Sequence, residues 1–391
     1  MTSADVIVVG AGVAGACAAE VLGRSGISVI LVDPRPSCPP LFRAEKLEPD
    51  QVQILRKLGL FEKLLPQVRQ IREIGVYSKG RLIETVRLEQ YGISYQEMVN
   101  GLRPGSPAVQ RKLGSVERIA NGEDIQRVKL QGGEELSARL VVLACGPNSV
   151  LQGQLGFRKK LIQKEQSLSF GFSIARLDGH SFPFAAITCH PASHAVPVDY
   201  LSLFAMGDAM RANLFTFGSI SDSWVRHFIS EPRRELNYVF PELVRPELVR
   251  LTGDFGVVGQ VETGRIDLYQ MQATSQPGVV LIGDAFQNAC PSTGMGLSKV
   301  LTDVDVLCSE YVPRWLATGG MGSEKVAMFY GDSRKRAVDR SALEKAAYRR
   351  RAVTDPSLRW RVHRWRLHLG RQFSRISSAD SNPQRRACLT N

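Results

Sequence analysis

Two clusters of glycines and carboxylates stand near opposite ends of this 391-residue chain, and both have the spacing of turns that bind anions and hydroxyls. The first is Gly10-Ala11-Gly12-Val13-Ala14-Gly15, directly after the β-branched run Val6-Ile7-Val8-Val9. Gly10 permits a tight turn, Gly12 lets the backbone approach a pyrophosphate, and Gly15 allows the following helix to pack closely on the strand. The free N–H groups and the positive end of the helix dipole over residues 12 to 15 then face the phosphates. A second strand, Ile27 to Val32, ends on Asp33, whose carboxylate suits ribose hydroxyls and repels a 2′-phosphate.

The second cluster is Ile282-Gly283-Asp284 followed by Pro291-Ser292-Thr293-Gly294-Met295-Gly296. A ligand gripped at its adenosine end by the first cluster and at its other end by sequence this distant must be long and must carry hydroxyls between its two ends. FAD meets that description.

The elements that position these residues are legible in outline. Helical spacing is predicted for residues 13 to 24 and for Val52, Leu55 and Leu58 after Pro49. Alternating strands are predicted at Ile74 to Tyr77 and Leu82 to Leu88, and a β-meander from Ala108 to the apolar run Leu140 to Ala144. Residues 165 to 220 alternate as an antiparallel sheet, 224 to 251 read as helical, and a buried strand at Gly278 to Ile282 leads into Gly283-Asp284. The fold class expected is α/β: a Rossmann-like FAD-binding domain (residues 1–75, 96–160 and 265–330), an inserted antiparallel β-sheet substrate domain (76–95 and 161–264), and a basic helical C-terminal segment (331–391).

Hydrophobic content of 43% with ordinary glycine and proline levels reads as a soluble globular protein. The longest apolar stretch, Val6 to Ala19, contains three glycines and has no basic flank, so it reads as neither a membrane span nor a secretory signal. Seven cysteines are scattered without a Cys-x-x-Cys pair, which points to reduced thiols, a cytoplasmic setting and no disulfide-exchange chemistry. His190 and His194 lie beside Pro191 and Pro197 with no carboxylate or thiol cluster near, and no metal is expected. The formal net charge is +12, and residues 334–391 hold 16 Lys and Arg against 4 Asp and Glu, leaving 34 of each sign in residues 1–333. The body is neutral and the end of the chain is basic.

On these residues the chain resembles the class A flavoprotein monooxygenases of the para-hydroxybenzoate hydroxylase fold, over about residues 5 to 330. Arg43 with Leu47, Pro49, Leu55, Leu58 and Gly59 matches the family's second element. Gly283, Asp284, Ala285, Pro291, Gly294, Gly296, Asp303 and Leu307 match its last. The resemblance implies cofactor-binding roles for Gly10, Gly12, Ala14, Gly15, Asp33, Arg43, Gly146, Gly283, Asp284, Pro291, Gly294, Met295 and Gly296. Asp284 would accept from ribityl hydroxyls, Arg43 would lie near the pyrophosphate, and the Pro291–Gly296 loop would meet the flavin pyrimidine edge. It further implies O₂ and NAD(P)H as co-substrates and hydroxylation or epoxidation of a small apolar or aromatic molecule through a flavin C4a-hydroperoxide, with no acid–base residue singled out.

The chain departs from the family's mid-chain Asp-Gly motif, reading Ala144-Cys145-Gly146-Pro147-Asn148-Ser149, and Cys145 stands where an aspartate helps engage the nicotinamide nucleotide. That keeps open a two-component enzyme fed by a partner reductase and a reductase of prenyl or other lipophilic chains. A non-enzymatic FAD-binding module is a further alternative. A flavin halogenase is disfavoured, because Trp224, Trp315, Trp360 and Trp365 give no Trp-x-Trp. Phe170, Phe172, Tyr200, Phe204, Phe215 and Phe217 are candidate walls of a substrate pocket.

At the basic end, Asp355 and Pro356 suit the start of a helix, and Leu358, Val362, Trp365, Leu369 and Phe373 fall on one face of it. Three partners fit residues 334–375: the enzyme's own body, an anionic membrane surface that would make the protein peripheral, or an acidic carrier protein. No recognition motif supports nucleic acid. On the membrane reading, truncation after Ser333 is expected to abolish liposome binding and leave FAD bound.

Overall fold

The computed structural model describes residues 2–147, 150–191, 196–244 and 252–364. The chain opens with β1 (Thr2–Val9), α1 (Val13–Arg24), β2 (Val29–Asp33), β3 (Lys46–Leu47) and α2 (Pro49–Lys57). Next come β4 (Arg69–Ser78), β5 (Arg81–Gly92), α3 (Tyr95–Gly101), β6 (Val109–Leu113), β7 (Val116–Ala120), β8 (Gln126–Leu130), β9 (Glu135–Leu143) and α4 (Val150–Gln154). Four further strands follow, β10 (Arg158–Arg176), β11 (Ala186–His190), β12 (Val198–Met206) and β13 (Ala209–Thr216), then α5 (Ser223–Ser230) and α6 (Pro232–Val239). The chain continues through β14 (Phe255–Gln272), β15 (Val279–Leu281), α7 (Met295–Val306), α8 (Val312–Leu316), α9 (Ser323–Gly331) and α10 (Ser333–Thr354). It divides into two units: Met1–Gln70, Gln90–Gln166 and Gly264–Ala346 make the first, and Ile71–Glu89, Ser167–Thr263 and Ala347–Asn391 the second.

The first unit is built on a parallel sheet in the order β6-β2-β1-β9, with β15 parallel to β9 on its far side. Successive residues of β1 serve two cores: Val6 and Val8 pack with α1 and α7 residues such as Leu22 and Leu301, while Ile7 and Val9 pack with Val141, Leu281 and Phe157. A strand buried on both faces needs this unbroken apolar run, and each such side chain contributes about 1.5–3 kcal/mol. Strand β9 is shared along its length, pairing with β8 through Glu135–Ala138 and with β15 through Val141–Leu143. The meander expected from Ala108 onward is therefore shorter than the sequence suggests. Only β7, β8 and β9 are antiparallel neighbours, because β6 joins the parallel sheet at β2.

The second unit holds a sheet in the order β14-β10-β13-β12-β11-β4-β5. It is mixed rather than antiparallel throughout: β10, β13, β12 and β11 are antiparallel neighbours, but β11 runs parallel to β4. Strands β4 and β11 come from distant segments, so no hairpin constrains their relative direction. One face of this sheet carries Phe170, Phe172, Ile187, Leu201, Leu203, Ala212 and Leu214, and α5 and α6 cover it with Val225, Phe228, Leu236 and Val239. Alternation places Ser169, Ser202, Asn213, Phe215 and Tyr200 on the opposite face.

Candidate functional site

The first turn is shaped by steric exclusion. Gly10 has φ +100°, and a Cβ there would lie 2.7 Å from the Ala144 carbonyl oxygen. A Cβ on Gly15 would lie 1.8 Å from the Gly10 carbonyl oxygen. These two glycines are required by packing. Gly12 is different: its Cβ would meet only the Tyr95 hydroxyl, at 3.4 Å, so this backbone is open to approach. Gly12 caps α1 with no side-chain hydrogen bond, leaving backbone donors at the positive end of the helix.

Asp33 lies at the end of β2, as its place in the sequence predicts, and also organises the turn. Its Oδ2 accepts from the Ala11 N–H at 2.8 Å and its Oδ1 from the Arg35 N–H at 2.9 Å. Gly146 (φ +78°) follows β9, and nothing lies within 4 Å of the position its Cβ would take. Beside it Cys145 is half-buried and forms no disulfide. The rest of that motif, Asn148 and Ser149, lies outside the described residues.

The second cluster converges on the same unit. Gly283 (φ +60°) begins a short 3-10 turn with Asp284 and Ala285, and Ala14 of α1 packs against it, 3.2 Å from where a Gly283 Cβ would sit. The Asp284 carboxylate lies 3.5 Å from Arg43 Nη1, and the Arg43 guanidinium stands 5.7 Å from the Tyr95 ring centre. Solvent reaches 35% of the Asp284 side chain, yet the protein packed around it desolvates the carboxylate and raises its pKa, with Arg43 and Lys299 opposing. Pro291–Thr293 form a single 3-10 turn, Gly294 adopts φ +69°, and α7 begins at Met295-Gly296 without a side-chain cap.

Gln51, Lys299 and Lys335 contribute to this geometry and were not singled out from the sequence. Gln51 Nε2 donates to the Gly294 carbonyl at 3.0 Å and to Ser298 Oγ at 3.0 Å, tying α2 to the start of α7. Its signal was present, since Glu48-x-x-Gln51 is a capping pair and Gln51 Oε1 accepts from the Glu48 N–H at 2.9 Å. The Tyr95 hydroxyl lies 3.4 Å from where a Gly12 Cβ would sit, and burial raises its pKa. Lys299 and Lys335 are buried beside Asp303, whose Oδ2 accepts from the Gly283 N–H at 2.8 Å. Lys299 and Asp303 are charges on an otherwise apolar helix, whereas Lys335 is one of many charged residues on α10.

Two helices whose N-cap residue is a glycine, a desolvated carboxylate beside an arginine, and an open glycine backbone form a donor and acceptor set that fits a dinucleotide. Residues 3–340 match the family described as "FAD binding domain". The chain belongs to the FAD-binding domain family. Within this family it has the fold of the class A FAD-dependent monooxygenases: the crystal structure of p-nitrophenol 4-monooxygenase PnpA from Pseudomonas putida DLL-E4 superposes with a TM-score of 0.72 at 19% identity, over 93% of this chain and 92% of that one. Squalene epoxidase 3 from Arabidopsis thaliana is 26% identical, over 78% of this chain and 59% of its own length. The 3-demethoxyubiquinol 3-hydroxylase of Escherichia coli K12 is 23% identical, over 78% of each chain. The chain thus spans little more than half of the plant epoxidase it matches.

The residues expected to wall a substrate pocket separate into two sets. Phe170 and Phe172 are fully buried and pack on Phe228, with ring centres 4.6 and 5.8 Å apart, so they are core. Tyr200 and Phe215, 4.8 Å apart, belong to the other face of the sheet, as does Phe204. On that face Ser169 and Asn213 are buried, and neither Ser169 Oγ nor Asn213 Oδ1 has a hydrogen-bond partner. Of the histidine pair, His190 ends β11 and His194 lies outside the described residues.

Proposed function

We propose that this protein is an FAD-dependent monooxygenase that hydroxylates a small aromatic molecule bearing a hydroxyl or amine, delivering one atom of O₂ to the ring and the other to water. Two electrons come from NAD(P)H. The observation that supports the substrate class is the pair of buried, unpartnered polar atoms on one sheet face, Ser169 Oγ and Asn213 Oδ1. Gly171, which pairs with Asn213, leaves that face without a side chain between Ser169 and Ser173, and Tyr200 and Phe215 add aromatic surface. Leaving a buried polar atom unsatisfied costs about 1–3 kcal/mol, so a face that carries two of them suits a ligand with its own polar hydrogens.

In this reading the open backbone at Gly12, with Ala14 and Gly15 behind it, and the guanidinium of Arg43 hold the pyrophosphate. Gly10 and Gly146 shape the two strand exits that flank it. Asp33 takes the adenosine ribose, Asp284 takes ribityl hydroxyls beside Gly283, and Pro291, Gly294, Met295 and Gly296 present the head of α7 to the pyrimidine edge. When bound, reduced FAD supplies the activation of O₂. The chain's own residues orient the substrate and exclude water. Stopped-flow reduction by NADH and NADPH, with a phenol or an alkene present, tests the reading. Phenol-stimulated reduction and a hydroxylated product support it, whereas turnover of the alkene alone would favour epoxidation, the reaction named for the squalene relative. Reduction only with an added reductase would assign the electrons to a partner, as Cys145 in place of aspartate suggests.

We also propose that the basic end of the chain docks on an anionic membrane surface and makes the protein peripheral to it. Among the described residues no helix is long and apolar enough to cross a membrane. Residues 358–364 are helical and fold back on α10: the Tyr348 hydroxyl is 2.7 Å from His363 Nε2, the Trp360 and Tyr348 rings are 5.6 Å apart, and Arg364 donates to the Ala352 and Asp355 carbonyls. That inward face leaves Leu358 73% exposed and Val362 37% exposed on the outside, flanked by Arg359 and Arg361. Trp365, Leu369 and Phe373 lie outside the described residues. An apolar outer edge with arginines suits anionic lipid, each basic residue adding about 1 kcal/mol near the surface. Sedimentation with vesicles containing phosphatidylserine tests this. Binding lost in Leu358→Asp supports it, and absence of binding in the full chain overturns it and leaves the enzyme's own body or an acidic protein as the partner.

A further inference from the structure

We infer that α10 is a positioning element of the cofactor turn, and that Lys335 acts with Lys299 on Asp303 to hold Gly283-Asp284 in place. The inference rests on the assignment of Asp284 to the FAD site.

Four charged residues are buried together in the first unit. Lys299, Asp303, Lys335 and Asp339 have side-chain exposures of 1%, 0%, 1% and 8%. Lys335 Nζ donates to Asp303 Oδ1 at 2.8 Å and to Asp339 Oδ2 at 3.1 Å, and Lys299 Nζ donates to Asp303 Oδ2 at 3.2 Å. Asp303 Oδ2 also accepts from the Gly283 N–H at 2.8 Å, and Lys299 Nζ donates to the Gly283 carbonyl at 3.3 Å. Both backbone polar groups of Gly283 are therefore held by the quartet. A second thread runs from the residue after Phe286: Gln287 Nε2 donates to the Asp339 carbonyl of α10 at 3.0 Å. The Lys335 ammonium completes the contact 4.0 Å from the Phe286 ring centre.

Buried ion pairs are poor stabilisers, because taking the charges out of water costs several kcal/mol apiece, and apolar replacements of equal volume are often as stable or more so. What an apolar cluster cannot do is accept the Gly283 N–H or donate to its carbonyl. Lys335 and Asp339 are counted by sequence among the charges of the basic end of the chain, but they face inward and act on a turn more than fifty residues earlier in the chain. A cut after Ser333 would remove both, so it is no clean test of membrane binding. Truncation after Thr354 leaves the quartet whole.

The test compares K335M/D339L, which removes one cation and one anion and leaves the Lys299–Asp303 pair as the quartet's remaining ion pair, with Q166A, which cuts a distal tie of the same helix at the Ala346 carbonyl, where Gln166 Nε2 donates at 3.0 Å. FAD affinity is read by fluorescence quenching, and amide exchange of the peptide spanning Gly283 to Gln287 is read in FAD-free protein. K335M/D339L is expected to bind FAD about tenfold more weakly, as loss of an outer partner of a binding group commonly does, and to exchange faster in that peptide, while Q166A changes neither. Wild-type affinity and exchange in K335M/D339L, or an equal loss in Q166A, overturns the inference. K335Q serves the same comparison should the double variant not fold. Wild-type protein that binds no FAD would defeat the cofactor assignment instead, and the exchange comparison would still decide whether Lys335 holds the turn.

Discussion

Arg43 Nη1 and Asp284 Oδ2 stand 3.5 Å apart, joining the segment that precedes α2 to the turn that follows β15. The pair is asymmetric in what it costs. Burial pushes the Asp284 carboxyl above its ordinary value, and Arg43 and Lys299 only partly offset that. A carboxyl whose pKa is higher in the folded than in the unfolded state lowers stability at neutral pH, and the cost is relieved as pH falls through the folded value. D284N should therefore raise the melting temperature of FAD-free protein near pH 7, and the gain should vanish as pH approaches about 4, where the unfolded carboxyl is itself protonated. The same substitution should weaken FAD by about ten- to a hundredfold, the worth of a hydrogen bond to a charged group. Differential scanning fluorimetry across pH, with and without FAD, checks both, and a variant that loses stability at pH 7 contradicts the sign.

Much of this site was legible in the sequence because its determinants are local. Gly10, Gly12 and Gly15 sit between a strand and a helix that apolar runs predict on their own, and Asp33 falls at the end of the next strand for the same reason. The partners that hold the site are not local. Gln51 meets Gly294, and Lys335 meets Asp303, only once the sheet has ordered β1, β9 and β15 side by side. The same limit explains the pocket walls. Alternation showed that Phe170 and Phe215 lie on strands, but the register and the placement of α5 decide which of the two faces is core.

The glycines of the first turn should separate by experiment. A methyl group on Gly15 would lie 1.8 Å from the Gly10 carbonyl oxygen and cannot be absorbed without moving α1 off the sheet. G15A should destabilise the FAD-free protein by about 1–3 kcal/mol, the usual cost of overpacking. On Gly12 the methyl would meet only the Tyr95 hydroxyl at 3.4 Å. G12A should keep the FAD-free melting temperature within about two degrees and bind FAD poorly, because it fills the approach of the pyrophosphate. Urea unfolding and FAD titration of both variants check the contrast, and equal losses of stability would remove the distinction.

Thiol chemistry offers a map of the same region. Burial pushes the Cys17 thiol up to about 12 and the Cys308 thiol upward as well, and Cys189 and Cys290 are buried. Cys145, half-buried at the exit of β9, is the thiol that reagent should reach first. In a C388S background, which removes the thiol outside the described residues, iodoacetamide at pH 8 should alkylate Cys145 at least about tenfold faster than the buried thiols. Saturating FAD should protect it. Peptide mass spectrometry reads the order, and alkylation that FAD leaves unchanged would place Cys145 away from the cofactor.

The sheet face of the second unit makes the sharpest claim about substrate. Ser169 Oγ and Asn213 Oδ1 are buried without partners, and a protein that keeps such atoms for binding bears their desolvation cost in the free state. Replacing Asn213 by leucine, which has the same number and branching of side-chain heavy atoms, should therefore leave stability unchanged or raise it, while raising KM for a phenolic substrate about tenfold with little change in the rate of flavin reduction by NAD(P)H alone. S169A should act in the same direction with a smaller effect, since it removes one hydroxyl and opens little space. The opposite pattern, lost stability with unchanged KM, would mean that these atoms serve the fold, and the substrate would then be recognised by its apolar surface as a hydrocarbon would be. Steady-state kinetics and thermal denaturation of the two variants are enough to decide between these outcomes.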